Sequence, residues 1–235
     1  MFIDAPGVTG KTFLLNLILA KIHISGTAIA LSSSGIAATL LHGGRTAHST
    51  FKLPLNLKHT ESPVCNIARG SGLALLLQCC QFIVWDECTM SHKGALEAVD
   101  CTLHDLRHAD RLIGSITLLL SGDFRQTLPV IPRGTPADEL KACLKSSYPW
   151  QHIKMLHLQT NMCVGRVSPK PKKQTSSMQL VAINGCCCCV SVFLSVCISY
   201  NSYGVQYIWT SGGQLHSWLP IAMHLISYLI LFVNS

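Results

Sequence analysis

A glycine-rich loop between a short apolar strand and an apolar helix constrains this chain more than any other segment. The loop follows residues 2–4, precedes the apolar residues 13–22, and consists of Gly7, Val8, Thr9, Gly10, Lys11 and Thr12. In such a layout, backbone N–H groups and the helix N-terminus face a phosphate group. Lys11 is then placed to reach the β- and γ-phosphates of a nucleotide, and the Thr12 hydroxyl to ligate Mg²⁺. The alternative is a bare structural turn, and the order strand, loop, helix favours nucleotide binding.

Two positions in this loop depart from the full phosphate-binding pattern. Ala5 stands where the pattern has its first glycine, and Val8 stands where related loops usually carry glycine. A β-branched residue at positive φ is strained. If Val8 has to adopt that conformation, we expect a distorted loop and a lower affinity for nucleotide.

Two further apolar runs end in polar residues that suit nucleotide chemistry. Residues 81–85 read as a buried parallel strand that ends in Asp86 and Glu87. Asp86 fits the role of Mg²⁺ ligand, and Glu87 that of the group that orients or deprotonates water. The alternative is a strand capped by two solvated acids. Residues 116–121 form a similar run, after which Gln126 is placed to sense a γ-phosphate; by itself this pattern is common.

These segments, together with the stretch between them, resemble one protein family. Residues 32–41 and 43–54 resemble the first DNA-contacting motif of Pif-family DNA helicases, and their sequence is especially similar to the helicase part of Helitron-type transposons. Residues 85–91 resemble the acidic motif of that group, and residues 122–132 resemble its third motif. The resemblance runs from about residue 1 to residue 163, with four motifs in the same order.

The resemblance implies an ATP-dependent DNA helicase of superfamily one. Such enzymes hydrolyse ATP with Mg²⁺, move 5′ to 3′ along single-stranded DNA, act in DNA repair and recombination, and reside in the nucleus or mitochondrion. It implies that the loop residues hold ATP, that Lys11, Glu87 and Gln126 are catalytic, and that Thr12 and Asp86 hold the metal. The residues that it places along single-stranded DNA are Thr46, His48, Ser49 and Phe51. For Phe51, stacking on a base and anchoring its own loop in the core remain equal alternatives.

The sequence also departs from the family pattern. The family has Asn-Met-Arg where this chain has Asn161, Met162 and Cys163, so the arginine that stabilises transferring charge is replaced. The resemblance ends after Val164, and we expect no second RecA-like lobe and little unwinding by the chain alone. The alternative function is therefore a catalytically inactive relic that binds nucleotide or DNA.

Charge divides the chain into three predicted parts. All 18 Lys and Arg and all 11 Asp and Glu precede residue 174, and the net charge of +7 suits a phosphate-backbone partner. We predict a RecA-like lobe over 1–164, a basic linker over 165–173 and an uncharged Cys-rich apolar tail over 174–235, outside the helicase fold. A spanning helix needs about 20 apolar residues, so membrane insertion of the tail is not favoured. The cysteines of the lobe are predicted to be reduced and mostly buried.

The order of predicted elements indicates an α/β fold. Strands are predicted over 1–4, 27–32, 81–85, 116–121 and 153–158, and helices over 11–24, 34–41, 71–79, 91–108 and 137–144, with Ser91 as a helix cap. A long loop is predicted over 42–69. Such alternation is typical of a parallel sheet with helices on both faces. The resemblance implies that this sheet is of the P-loop NTPase, RecA-like kind.

Overall fold

A computed structural model describes residues 1–24, 26–54, 57 and 63–159, and the backbone of 200–201 and 204–205. Its main feature is a six-stranded parallel sheet with the order β3-β2-β4-β5-β1-β6. The strands are β1 (Phe2–Asp4), β2 (Ala28–Ser32), β3 (Arg45–Thr46), β4 (Phe82–Asp86), β5 (Thr117–Gly122) and β6 (Met155–His157). The predicted parallel sheet is confirmed.

Helices connect the strands and cover the sheet. They are α1 (Lys11–His23), α2 (Gly35–Leu40), α3 (Ala47–Phe51), α4 (Gly72–Cys79), α5 (Lys93–Arg107) and α6 (Pro136–Ala142). Short 3₁₀ turns lie at Cys88–Met90, Leu112–Ser115, Leu144–Ser146 and Pro149–His152. One face of α5, formed by Leu96, Val99, Leu103 and Leu106 at helical spacing, is buried.

Strand β4 shows that both faces of the sheet are buried. Ile83 and Trp85 belong to the large core cluster that also holds residues of α3, α4 and α5. Phe82 and Val84 are fully buried but lie outside that cluster, and β4 contacts α1 as well. Because successive side chains of a strand point to opposite faces, helices cover this sheet on two sides. A strand buried on both sides has to be apolar throughout, as the run 82–85 is.

The predicted loop over 42–69 is wrong in part, because it contains β3 and α3. Thr46 caps α3 by accepting a hydrogen bond from the backbone N–H of Ser49 at 3.4 Å. The helix buries Ala47, Thr50 and Phe51. A helix of five residues is too short to show the periodicity on which sequence-based prediction depends.

The predicted helix cap at Ser91 is also wrong. His92 caps α5, since its ring Nδ1 accepts from the backbone N–H of Gly94 at 3.0 Å. The Ser91 hydroxyl instead forms a hydrogen bond with the Ser33 hydroxyl at 2.7 Å. Ser91 therefore bonds to a residue distant in the sequence instead of to the backbone at the start of α5.

The cysteines of the described residues are free, as predicted. Cys65, Cys80, Cys88 and Cys143 are buried, and Cys79 and Cys101 are exposed. Burial raises the pKa of Cys65 and of Cys80 to about 11, so both thiols stay protonated and unreactive at neutral pH.

After residue 159 the structure describes one antiparallel pair, β7 (Tyr200–Asn201) with β8 (Gly204–Val205). The predictions for Cys163, the basic linker and the rest of the tail lie outside the described residues. Among the residues that are described, no helix has the length and apolarity that crossing a membrane requires.

Candidate functional site

The sheet brings the predicted motifs together along the edge formed by the carboxyl ends of its strands. Ser32 at the end of β2 is in register with Asp86 at the end of β4, and Asp4 at the end of β1 with Gly122 at the end of β5. In parallel sheets, ligands bind outside the carboxyl ends of the strands. The glycine-rich loop, the acidic pair and the third motif all begin at this edge.

The glycine-rich loop has the conformation that a phosphate-binding loop requires at its end. Gly10 is the residue before α1 and has φ 79°, a left-handed value that glycine adopts without strain. Thr9 is buried, and its hydroxyl donates to the carbonyl of Pro6 at 2.8 Å, which closes the turn. Thr12 is half-buried in the first turn of α1.

Val8 adopts the strained conformation that its position in the loop led us to expect. Its φ is 61°, in the left-handed region, and its side chain is 41% exposed. A β-branched residue in this region costs roughly 1–3 kcal/mol. The loop is therefore formed at the expense of stability.

Lys11 lies between the two carboxylates of the acidic motif. Its Nζ is 3.2 Å from Oδ1 of Asp86 and forms a short hydrogen bond with Oε1 of Glu87. The Asp86 side chain is buried, the Lys11 side chain is partly buried, and Glu87 is 25% exposed. Burial lowers the pKa of Lys11, but the charge of Asp86 and the hydrogen bond and charge of Glu87 outweigh burial and raise it above its ordinary value. The loop and the acidic motif thus meet at one ion-paired cluster.

Backbone geometry also positions the acidic pair. Asp86 is the last residue of β4, and its Oδ1 accepts from the backbone N–H of Glu87 at 2.9 Å. Glu87 itself has φ 49° in the left-handed region. Strain of this kind at a functional residue persists only when the surroundings determine the conformation, and here the Asp86 bond and the Lys11 contact do so.

The third motif is organised around Asp123. One of its carboxylate oxygens accepts from the backbone N–H of Arg125 at 3.0 Å and from its Nε at 2.7 Å, and the other accepts from Gln126 Nε2 at 2.9 Å. Burial raises the pKa of Asp123, but these hydrogen bonds and the Arg125 charge outweigh it and lower the pKa below its ordinary value. Gln126 Nε2 lies 3.5 Å from the point that a Cβ on Gly7 would occupy. The structure therefore brings Gln126 beside the glycine-rich loop.

A pair of hydroxyl groups, which sequence reasoning missed, joins the acidic and third motifs. Thr89 Oγ1 and Thr127 Oγ1 are hydrogen-bonded at 2.7 Å, and Thr89 is fully buried. Neither threonine carries a signal in the sequence, because their partnership depends on β4 and β5 being neighbours in the sheet.

The predicted DNA-contacting residues share one segment but not one environment. His48 and Ser49 are exposed, and Thr46 is half-buried with its hydroxyl bonded to that of Ser49 at 2.8 Å. Phe51 is only 1% exposed, and its ring centroid lies 5.9 Å from that of Trp85. Of the two alternatives left open for Phe51, the structure shows the core anchor, because the buried ring on α3 packs against Trp85 of β4. A contact of Phe51 with DNA stays a prediction.

Two exposed cations flank the same segment. Arg45 lies in β3 and Lys52 follows α3, both with exposed side chains on either side of His48. Sequence reasoning passed over them, although two basic residues beside a polar segment are a recognisable signal for phosphate contacts.

Comparison with known proteins places this geometry among helicases. The sequence model of the family described as PIF1-like helicase matches residues 1–183, which extends past Val164, where we expected the resemblance to end. Similar curated proteins include the ATP-dependent DNA helicase Pif1 of Psychrobacter sp. (strain PRwf-1), 32% identical over 135 residues, 57% of this chain and 20% of the relative. Another is the ATP-dependent DNA helicase PIF1 of Homo sapiens, 28% identical over 151 residues, 58% of this chain and 21% of the relative. The chain spans about a fifth of the length of these two curated relatives.

Solved structures share the fold. Bacteroides Pif1 bound to ssDNA superposes with a TM-score of 0.58 at 21% identity, over 69% of this chain and 38% of the other. Pif1 helicase from Candida albicans superposes with a TM-score of 0.58 at 23% identity, over 67% and 35%. A third neighbour is the Bacteroides helicase in complex with ADP-AlF3 and ssDNA, with a TM-score of 0.58 at 21% identity, over 68% and 38%. At these identities the likeness establishes the shared fold.

Proposed function

The chain belongs to the PIF1-like helicase family, and from that premise we propose that residues 1–164 form the ATP-binding lobe of an ATP-dependent 5′-to-3′ DNA helicase. The observation that carries this proposal is the meeting of Lys11 with Asp86 and Glu87 at the mouth of the glycine-rich loop. A lysine and two carboxylates converging beside a helix N-terminus are the groups that phosphoryl transfer requires.

The residues present fit ATP and Mg²⁺. Bound Mg²⁺ would neutralise charge on the transferring phosphate, and it is usually held by one or two protein oxygen ligands besides phosphate and water. Thr12 and Asp86 supply such ligands. The backbone of residues 7–12 and the Lys11 ammonium would contact the phosphates, once Lys11 exchanges its carboxylate partners for phosphate oxygens.

Glu87 and Gln126 are proposed to act on the water and on the γ-phosphate. Glu87 is the more exposed of the two carboxylates, so it is the one that can accept a proton from water. Gln126 is held by Asp123 beside Gly7, which suits a group that senses the γ-phosphate and transmits its presence to the DNA.

Single-stranded DNA is the proposed partner of the segment around α3. Thr46, His48 and Ser49 would contact the strand, and Arg45 and Lys52 would add charge against its phosphates. DNA repair or recombination in the nucleus or mitochondrion is the proposed setting. We propose further that residues 165–173 are a basic linker and that 174–235 lie outside the helicase fold.

Two observations favour a second candidate function, a lobe that binds nucleotide or DNA without hydrolysis. Val8 stands at φ 61° in the loop, and Cys163 replaces the family's charge-stabilising arginine. Both changes would weaken catalysis before they weaken binding of DNA.

Substitution of Val8 separates the two candidates. Binding of a fluorescent ATP analogue with Mg²⁺ is measured on the full chain by titration. We expect the parent to bind, and Val8→Gly to bind up to about fivefold more tightly, because about 1 kcal/mol of backbone strain is relieved. Val8→Ala, which removes the β-branch but keeps the Cβ, is the matched control and should fall between them.

The other outcomes are equally decisive. Binding by Val8→Gly alone would support the inactive alternative, and binding by none of the three would contradict both nucleotide proposals. Where the parent binds, ATP hydrolysis with and without single-stranded DNA then distinguishes an enzyme from a binding lobe.

The cations flanking α3 should set the salt dependence of DNA binding. Arg45→Gln and Lys52→Gln are each expected to make the slope of log K against log salt concentration less negative by roughly 0.7, the value for one phosphate contact on a single strand. Fluorescence anisotropy of a labelled oligothymidylate at several salt concentrations measures this slope. Lys141→Gln on α6, also an exposed lysine, serves as the control and should leave the slope unchanged; equal slopes in all variants would argue against contacts at Arg45 and Lys52.

A further inference from the structure

We propose that Trp85 is a positioning residue that couples the DNA-contacting segments to the nucleotide carboxylates. Trp85 would transmit occupancy of the segments around Ser33 and α3 to Asp86, its neighbour in β4. The inference rests on the function proposed above and concerns how its two ligands affect each other.

Trp85 contacts two segments that belong to the predicted DNA surface. Its indole is fully buried, and its ring packs against Phe51 at 5.9 Å between centroids with an interplanar angle of 47°. Its Nε1 donates a hydrogen bond to Oγ of Ser33 at 2.9 Å. One side chain thus contacts α3 and the segment that follows β2.

Ser33 forms two further hydrogen bonds to the acidic motif. Its backbone N–H donates to the carbonyl of Asp86 at 3.1 Å, and its hydroxyl is hydrogen-bonded to the Ser91 hydroxyl at 2.7 Å. The acidic motif is therefore held before, at and after Asp86 by one serine from the predicted DNA-contacting segment.

The choice of residue supports a positioning role rather than simple filling of the core. A phenyl ring could pack against Phe51, but a buried indole N–H needs an acceptor. The bond to Ser33 gives the ring one orientation, and its loss leaves a buried donor unsatisfied. Because the core is close-packed, Trp85 has to accommodate any displacement of α3 or of Ser33 that bound DNA causes. The residue that follows Trp85 in β4 is Asp86.

Coupling of this kind appears as an interaction free energy between two ligands, and it is reciprocal. On the full chain, the dissociation constant of a fluorescent ATP analogue with Mg²⁺ is measured with and without saturating oligothymidylate. The parent is expected to show a change of roughly fivefold or more. In Trp85→Phe and in Ser33→Ala, the change should fall to within about twofold of none, and the affinity for the ATP analogue alone should stay within about threefold of the parent value.

Trp150→Phe is the matched control. Trp150 packs against Phe2 and Phe124, whereas the ring partner of Trp85 is Phe51, so the same indole-to-phenyl change should preserve the parent coupling. If Trp85→Phe does not fold, Ser33→Ala decides, because it removes a single hydroxyl group.

The results distinguish the inference from the function on which it rests. A parent that binds both ligands without mutual effect, or variants that keep the parent coupling, would overturn the inference and leave the proposed function standing. Variants that bind each ligand more weakly, but whose affinity for the ATP analogue still changes by the parent factor when oligothymidylate is added, would show that Trp85 has only a structural role. A parent that binds neither ligand would overturn the proposed function itself.

Discussion

Lys11→Ala is expected to reduce affinity for the Mg²⁺-bound ATP analogue by roughly 10- to 150-fold. The change removes a charged hydrogen-bond donor, and hydrogen bonds to charged groups contribute about 1.5–3 kcal/mol. Titration of the full chain with the fluorescent analogue measures the loss. Lys21→Ala, an exposed lysine in the last turn of the same helix, is the matched control and should bind as the parent does.

The same substitution should also lower stability at neutral pH. It leaves the buried Asp86 carboxylate beside Glu87 without a cation, which costs about 3 kcal/mol when one partner of a buried pair is removed. The raised pKa of Lys11 means that its contribution to stability is fully present from neutral pH up to the unfolded-state value of 10.5, and that this contribution is lost as pH rises through the raised pKa. Urea unfolding at pH 7 measures the difference. Unchanged affinity and unchanged stability together would contradict the cluster described here.

Phe51→Ala is expected to destabilise the lobe by about 3–5 kcal/mol, the usual cost of deleting a buried phenyl ring. The ring is 1% exposed and packs against Trp85, so its removal opens a cavity between α3 and β4. Urea unfolding of the full chain followed by circular dichroism measures this cost. Phe13→Ala, at a phenylalanine that is 41% exposed, should cost much less.

Phe51→Leu separates packing from stacking. An aliphatic side chain of similar volume should recover most of the stability, with a residual cost below about 1.5 kcal/mol, whereas it cannot stack on a base. Stability close to the parent together with a large loss of affinity for single-stranded DNA would restore the stacking role and contradict the burial described here.

The alternation of predicted strands and helices along the chain was sufficient to predict the parallel sheet. The apolar runs that became β4 and β5, and the 3.6-residue spacing on α5, are local properties, and the observed elements agree within one or two residues at most of their ends. β3 and α3 were missed because a two-residue strand and a five-residue helix are too short for any period to appear. Their stability comes from burial of Ala47 and Phe51 rather than from propensity.

The sequence by itself determined which residue types stand at the proposed nucleotide site. The glycine-rich loop, the Lys-Thr pair that opens α1 and the two acids that end β4 are contiguous motifs, so their chemistry is readable without a fold. Even the strain at Val8 was foreseeable, because the allowed backbone regions of a β-branched residue are a local property.

Only the tertiary structure decided how those motifs meet. The sheet order, with β5 between β1 and β4, aligns the strand ends at which the loop, the acidic pair and the third motif begin. It pairs Lys11 with Asp86 and Glu87, Thr89 with Thr127, and Trp85 with Ser33 and Phe51. These pairs are separated by between 34 and 76 positions along the chain. Contacts over such separations follow from packing of the whole core, which no local pattern specifies.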